Sequence, residues 1–112
     1  WRIQPGCNIN LTIYNKLGSF SPSVADLIAS PEAAQEPIIS FSKAYLNHTN
    51  IHTHGLHQSP IEPADSVFMR LAPGDSMEWI YHIPANHMGG TFWYHPHLHH
   101  ATAAQAGGGA AG

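Results

Sequence analysis

The sequence predicts an all-β protein, an antiparallel Greek-key β-sandwich with one partly helical insertion at residues 18–47. Three observations favour this class: short segments in which apolar and polar residues alternate, proline-glycine turns before the longer segments, and few helix signals outside the insertion. A chain of 112 residues is long enough for one small domain with a single core. We therefore treat residues 1–112 as one β domain.

The first predicted strand follows a proline-glycine turn at residues 5–6. In it Ile9, Leu11 and Ile13 alternate with polar residues, as expected for a strand that buries one face. Cys7, the only cysteine, stands at the start of this strand, and a half-buried thiol without a role is the favoured interpretation. A single cysteine excludes an internal disulfide.

Residues 18–47 differ in character from the rest of the chain. Serine-proline pairs at residues 21–22 and 30–31 each resemble a helix N-cap followed by proline at the first helical position. Pro37 would end the second helical segment. We interpret the region as an insertion packed on the outside of the β domain.

A second long alternating segment follows the proline-glycine turn at residues 73–74. Its apolar face includes Trp79 and Tyr81, which we expect to fill the core. Shorter strands are predicted at residues 67–69 and 91–94. The alanine- and glycine-rich tail that follows residue 100 predicts neither a strand nor a helix.

Composition and charge limit the possible partners. The chain is 43% hydrophobic and 10% charged, which is typical of a folded globular domain. Its formal net charge is -3 with no basic patch, so nucleic acid is not expected as a partner. No run reaches the apolar length of a membrane span, and no signal peptide is visible. Because the chain begins with Trp1 and not Met, we expect a processed or excised piece.

Ten histidines are the unusual feature of the composition, and most of them fall in two short blocks. Each block contains a His-x-His pair: His52 with His54, and His95 with His97. Side chains alternate along a strand, so the two members of each pair share one face. Two such pairs side by side would place four imidazoles around one small volume. Neutral imidazole suits copper, zinc, iron and nickel, and copper binds most tightly among the divalent ions.

The residues around these pairs fit a site at the rim of a sheet. Gly55 follows the first pair and lets the backbone bend away or a neighbour approach closely. Pro96 removes a backbone donor inside the second pair, so that strand end is irregular or lies at an edge. We expect Trp93 and Tyr94 to pack beneath the imidazoles and fix them.

The other histidines are given less direct roles. Three are expected beside the site or at the surface: His57, His99 and His100. Three are expected to be structural or solvated: His48, His82 and His87.

The residues alone leave more than one function open. A single His-x-His pair can arise by chance on a solvated strand. Two pairs with these flanking residues are much less often a coincidence. Three histidines and a water make a catalytic zinc centre, so a mononuclear zinc or copper enzyme is one alternative. A non-catalytic module that buffers or delivers copper is another.

The two blocks resemble the N-terminal cupredoxin (plastocyanin-like) domain of a laccase-like multicopper oxidase. The first motif of that family is similar to residues 51–56, and its second motif is similar to residues 90–97. The proline-glycine turns before both long strands also resemble the family. The likeness covers most of the chain outside the insertion, and it implies a cupredoxin fold in a secreted or periplasmic protein.

The resemblance implies a role for each paired histidine. His52 would bind the type 2 copper, and three residues would bind the type 3 copper pair: His54, His95 and His97. Asp65 follows the first motif and matches an acidic residue that the family uses in proton delivery to oxygen. A solvated loop carboxylate is an equal alternative for Asp65.

The chain also departs from the family. The family completes its trinuclear cluster with four histidines from a C-terminal cupredoxin domain, which also carries a His-Cys-His segment that this sequence lacks. Strands that the family has before residue 2 and after the glycine-rich tail are missing, so residues 1–112 resemble a partial domain, truncated at both ends. His100 stands where many members have glycine, which puts a bulkier side chain at a tight position.

The implied function is half of a trinuclear copper site that reduces dioxygen to water. A phenol-like substrate or a metal ion would be oxidised elsewhere in the full enzyme. A C-terminal cupredoxin domain or another subunit would complete the cluster, and we expect little or no oxidase activity from this chain alone.

Overall fold

The computed structural model describes residues 1–18 and 46–112. Within these ranges the elements follow one another as β1 Asn8–Tyr14, β2 His52–His54, β3 Ser76–His82, β4 Trp93–His95 and α1 Thr102–Gly107. The strands dominate, which confirms the predicted all-β class. Nearly all of the predicted helical insertion lies outside the described residues.

The strands β1 and β3 form an antiparallel sheet of seven residue pairs, in which Leu11 lies opposite Trp79. Along β1 every second residue is exposed, as the alternation predicts. On β3, Trp79 and Tyr81 are fully buried. The long alternating segments are therefore correctly predicted, and so are the two aromatic residues of the core.

The core lies against this sheet and extends toward the first histidine pair. Its buried members are Ile51, Ala64, Met69, Leu71, Trp79, Tyr81 and Ile83. Full burial of a large apolar side chain contributes roughly 1.5–3 kcal/mol. Ile51 directly precedes β2, so the first histidine strand begins at a residue anchored in the core.

The strands β2 and β4 form a second antiparallel sheet. Its three residue pairs are His52 with His95, Thr53 with Tyr94, and His54 with Trp93. The strand β4 ends directly before Pro96, as expected for a residue without a backbone donor. Strands this short supply few ladder hydrogen bonds, so the sheet depends on its neighbours for its geometry.

Two predicted strands differ from the structure. Residues 67–69 form a turn in which the backbone N–H of Phe68 donates to the Ser66 hydroxyl. The Phe68 side chain is 86% exposed, so its apolar character does not reflect burial in a sheet. The strand predicted at residues 91–94 is shorter and begins later, at Trp93.

The tail contains a helix that the sequence analysis did not predict. Its residues include three alanines, which have the highest intrinsic helix propensity. Gln105 fixes the helix to the chain before β2, because its side-chain amide donates to the carbonyl oxygens of Leu46 and His48 at 2.8 and 2.7 Å. Among the described residues, no helix is long and apolar enough to span a membrane.

Candidate metal centre

The histidines of both predicted pairs lie together at the end of the β2–β4 sheet. The ring of His52 is the common neighbour. Its centroid lies 4.9 Å from that of His54, 5.9 Å from that of His95 and 5.1 Å from that of His97. The structure thus brings together all four histidines that the sequence predicts as a cluster.

Antiparallel pairing explains how most of these side chains meet. His52 lies directly opposite His95, so the two side chains project from the same face of the sheet. His54 shares that face because it is two residues along the same strand. His97 lies beyond the end of β4, and the ladder therefore does not place it. Its backbone N–H instead donates to the side-chain oxygen of Asn50 at 2.6 Å.

The closest approach in the cluster joins the Nε2 atoms of His54 and His95, which are 2.9 Å apart. The Nδ1 atom of His95 lies 2.7 Å from the Pro96 carbonyl oxygen, and it must donate a proton because that oxygen can only accept. Nε2 of His95 in the neutral ring then carries a lone pair directed at His54. Two nitrogens that each lie about 2.0–2.1 Å from one metal ion are themselves roughly 3 Å apart, so the two rings have the spacing of a ligand pair.

His52 is oriented by the carboxylate of Asp65. Its Nδ1 atom lies 2.9 Å from Asp65 Oδ2, although the contact is too poorly aligned for a regular hydrogen bond. The other carboxylate oxygen accepts the backbone N–H of Thr53 at 3.0 Å. Asp65 therefore holds both the strand and the ring, and Nε2 of His52 is directed away from the carboxylate.

The surroundings of His52 favour its neutral form. Burial lowers the pKa of His52, the Asp65 carboxylate raises it, and the neighbouring rings of His54 and His97 lower it further. The net direction is downward from the ordinary histidine pKa, so the ring is neutral at neutral pH. Neutral imidazole is the form that binds a metal ion.

The aromatic residues of β4 face opposite sides of the sheet. The indole of Trp93 stacks on His54 at 4.3 Å and on His95 at 4.6 Å between ring centroids. Tyr94 instead stacks on Trp1, at 4.5 Å. The prediction that both aromatic residues support the imidazoles is right for Trp93 and wrong for Tyr94, because consecutive strand residues point to opposite faces.

Gly55 has both properties predicted for it. Its φ of 83° lies in the left-handed region, and a Cβ atom built on it would lie only 2.5 Å from Cδ1 of Phe92. Phe92 directly precedes β4. The glycine thus lets the segment before the second histidine pair pack against the end of the first.

His57 and His87 form a separate pair outside the cluster. The backbone N–H of His57 donates to Nε2 of His87 at 3.0 Å, and Nδ1 of His87 donates to the Met88 carbonyl oxygen at 2.7 Å. His87 is buried and both of its ring nitrogens are used. Its predicted structural role is therefore confirmed, while His57 is exposed, as predicted.

The histidines that follow the second pair lie at the surface, as predicted. His99 and His100 are both exposed, and their ring centroids are 4.4 Å apart. His100 has a φ of 70°, which strongly favours glycine. Glycine, which the resemblance leads us to expect here, would adopt this angle without strain. The strain at this position comes from its dihedral angle.

No three His, Cys, Asp or Glu side chains within residues 1–18 and 46–112 form a set that could hold one metal ion. The described part of the chain offers a close pair, His54 with His95, and two further histidines beside it. A cavity of about 290 Å³ lies beside the sheet and is lined by Thr53, Trp93 and Tyr94 among other residues, but by none of the four histidines.

Two residues near the cluster were missed by the sequence analysis. Asn50 is buried and connects the two histidine segments through its side chain. Gln105 accepts the Thr49 hydroxyl at 2.8 Å in addition to its two backbone contacts. Asn50 comes two residues before the first histidine, and that closeness in sequence is the one signal that could have identified it.

Comparison with known proteins is consistent with this site. A search of curated proteins found no significant match. A family model described as multicopper oxidase matches residues 32–112, more than two thirds of the chain. The matched region contains both histidine pairs and the strands β2, β3 and β4. The all-β fold is therefore of the cupredoxin type, and the chain belongs to the multicopper oxidase family.

Proposed function

We propose that this chain is an N-terminal cupredoxin domain that supplies half of the histidine ligands of a trinuclear copper cluster. His52 is assigned to the type 2 copper. The ligands assigned to the type 3 pair are His54, His95 and His97. The observation that carries the proposal is the 2.9 Å separation of the facing Nε2 atoms of His54 and His95.

The donor set fits copper. Imidazole nitrogen is a good copper ligand, and the Irving–Williams order places copper(II) at the tight end of the divalent series. Metal-binding histidines usually direct their second ring nitrogen to a carboxylate or a carbonyl oxygen. His52 faces the Asp65 carboxylate and His95 the Pro96 carbonyl in this way. Both rings are thereby oriented with Nε2 as the ligating atom.

Bound copper would supply the one-electron redox chemistry by which dioxygen is reduced to water. The residues of this chain hold and orient the site. Trp93 covers one side of two rings, and Asp65 fixes His52. The Asp65 side chain is 11% exposed and lies beside His52, a proposed ligand. We therefore also propose that Asp65 holds a proton that is delivered to oxygen.

The proposal requires a second contributor. The described residues present a close histidine pair and no complete set for one ion, which is expected if ligands also come from a C-terminal cupredoxin domain or another subunit. The phenol-like or metal-ion substrate would be oxidised in that other part of the enzyme. An extracellular or periplasmic location accompanies the proposal, by analogy with the family.

Copper content of the full-length protein tests the proposal. Alanine substitutions would be made singly at His52, His54, His95 and His97, with copper measured by mass spectrometry and oxygen uptake followed with a phenol. We expect each variant to lose part of the copper and most of the oxygen uptake. The control is His82→Ala, because His82 is exposed at the end of β3 and its ring hydrogen-bonds to Asn8 in the β1–β3 sheet.

Other outcomes would favour the alternatives. Complete loss of metal from any single substitution would indicate a mononuclear site. Copper binding with no oxygen uptake by the full-length protein would indicate a buffering module. Unchanged copper content in all four variants would contradict any role of these histidines in metal binding.

A further inference from the structure

We propose that Asn50 is a positioning residue that fixes His97. It connects the segments that carry the two histidine pairs, residues 50–54 and 95–97, to the loop at residues 65–67. The inference rests on the proposed role of His97 as a copper ligand. It goes beyond that role because Asn50 itself has no ligating function in the proposal.

The Asn50 side chain joins three parts of the chain. The residue is 3% exposed and lies just before β2. Its Oδ1 atom accepts the backbone N–H of His97 at 2.6 Å, and its Nδ2 atom donates to the carbonyl oxygen of Val67 at 2.9 Å. Each contact crosses to a different segment, so the amide acts as a short bridge between them.

The contact to His97 replaces an interaction that the sheet does not provide. Pro96 follows the last residue of β4, and the ladder therefore stops before His97. The hydrogen bond from the His97 backbone fixes the residue relative to the start of β2. The His97 ring then lies 5.1 Å from that of His52 between centroids. Loss of the bond would remove the contact that fixes the His97 backbone relative to the start of β2.

The contact to Val67 extends the bridge to the second support of the cluster. Val67 lies two residues after Asp65, whose carboxylate contacts His52 and the Thr53 backbone. The Asn50 amide therefore restrains two things: the segment that carries Asp65, which orients His52, and the backbone of His97. A change at Asn50 is expected to loosen both.

The carboxamide of Asn50 satisfies both partners. The N–H of His97 requires an acceptor and the carbonyl of Val67 requires a donor, which also fixes the orientation of the Asn50 amide. Aspartate offers the acceptor without the donor, and alanine offers neither. These two substitutions therefore separate the contact to His97 from the contact to Val67.

The backbone of Asn50 is held in place by its two neighbours. Thr49 exchanges two backbone hydrogen bonds with Leu71, at 3.0 and 2.9 Å. On the other side, Ile51 is buried in the core. The amide thus projects from a backbone that is fixed on both sides, as a residue that positions another must be.

Asn15 provides a matched control. It is also buried, at 4% exposure, and its amide donates to the carbonyl oxygens of Asn47 and Leu71 at 2.7 and 3.1 Å. Its side-chain oxygen accepts the Leu17 backbone N–H at 3.0 Å. Its contacts are similar in kind to those of Asn50, but none of them involves a histidine segment of the cluster.

The test compares Asn50→Ala, Asn50→Asp and Asn15→Ala in the full-length protein, with urea unfolding, copper affinity and the copper absorption spectrum as measurements. Both alanine variants are expected to lose stability. Only Asn50→Ala is expected to lose copper affinity, by about 10–100-fold, with an altered spectrum. Asn50→Asp keeps the acceptor for His97 and is expected to lose less than about tenfold.

Several results would overturn the inference. One is equal copper affinity in the two alanine variants. Another is an equal loss of copper affinity in Asn50→Asp and Asn50→Ala, which would show that the acceptor for the His97 N–H does not matter. If Asn50→Ala does not fold, Asn50→Asp decides alone, since a loss of tenfold or more would contradict the acceptor role.

A His97→Ala variant separates failure of this inference from failure of the proposed function. Wild-type protein without copper, or His97→Ala with unchanged copper, would refute the proposed function. If His97→Ala loses copper, Asn50→Ala added to it is expected to cause a smaller further loss than in the wild type, because the part of the Asn50 effect that acts through the His97 ring is already lost.

Discussion

The two sheets of the described chain are held together in different ways. The β1–β3 sheet pairs seven residues and buries Trp79 and Tyr81 completely. The β2–β4 sheet pairs three, and it depends on contacts made by Asp65, Asn50 and Trp93. Apolar packing therefore stabilises the first sheet, while hydrogen bonds and ring stacking arrange the second. Substitutions in the first should change stability most, and those in the second should change metal binding.

The largest expected effect is the loss of stability in Trp79→Ala. Truncation of a fully buried tryptophan costs about 3–5 kcal/mol, because a cavity remains where the indole packed. The free energy of unfolding in urea measures it. The control is Trp93→Ala, in which the side chain is 50% exposed and makes ring contacts with two histidines. Similar losses in both variants would show that the two sheets are not held differently.

The next effect concerns Gly55→Ala. A residue with a Cβ in the left-handed region costs about 1–2 kcal/mol, and here Phe92 must also move. Gly74→Ala is the matched control, because Gly74 has a φ of 87° and nothing within 4 Å of the added Cβ. We expect Gly55→Ala to lose more unfolding free energy than Gly74→Ala. A larger loss in Gly74→Ala would argue against close packing of Phe92 on Gly55.

A smaller effect is expected from Trp93→Leu, and it should appear in copper binding. Ring stacking is worth about 0.5–1.5 kcal/mol, so its loss should weaken copper binding by about two- to tenfold. Trp1→Leu is the control, since Trp1 is also exposed and stacks on Tyr94 on the other face of the sheet. Titration of both variants with copper measures the difference. Equal affinities would leave Trp93 without a role in supporting the ligands.

The smallest effect is a gain in stability from His100→Gly. Glycine removes about 1–2 kcal/mol of left-handed strain and loses about 0.5–1 kcal/mol in conformational entropy, so the net gain is about 0.5–1 kcal/mol. The melting temperature should rise slightly. His99→Gly should lower the melting temperature, because the φ of His99 is not positive and glycine would relieve no strain there. A lower melting temperature for His100→Gly would contradict the assignment of strain.

The sequence predicts the histidine cluster because strand periodicity brings His52 and His54 to one face and antiparallel pairing places His95 opposite His52. His97 lies beyond the end of β4, and its backbone is held by Asn50 instead. The sequence also predicts β1 and β3 from strand periodicity, through alternating burial. The different directions of Trp93 and Tyr94 depend on register, which the aromatic run does not reveal. The contacts of Asn50 could not be predicted because its partners lie 17 and 47 residues away along the chain. The helix α1 was missed because its short run of alanines has no apolar period.

The hydrogen bond from His95 to the Pro96 carbonyl has a thermodynamic consequence. It selects one tautomer and one ring orientation as the chain folds, so this imidazole loses its rotational freedom before any ion arrives. The entropy lost on folding is then not lost again on binding, and the net affinity rises without an additional contact. At the copper site proposed above, preorganisation of this kind would make the Pro96 carbonyl oxygen, which is not itself a ligand, a determinant of how tightly the ion is held.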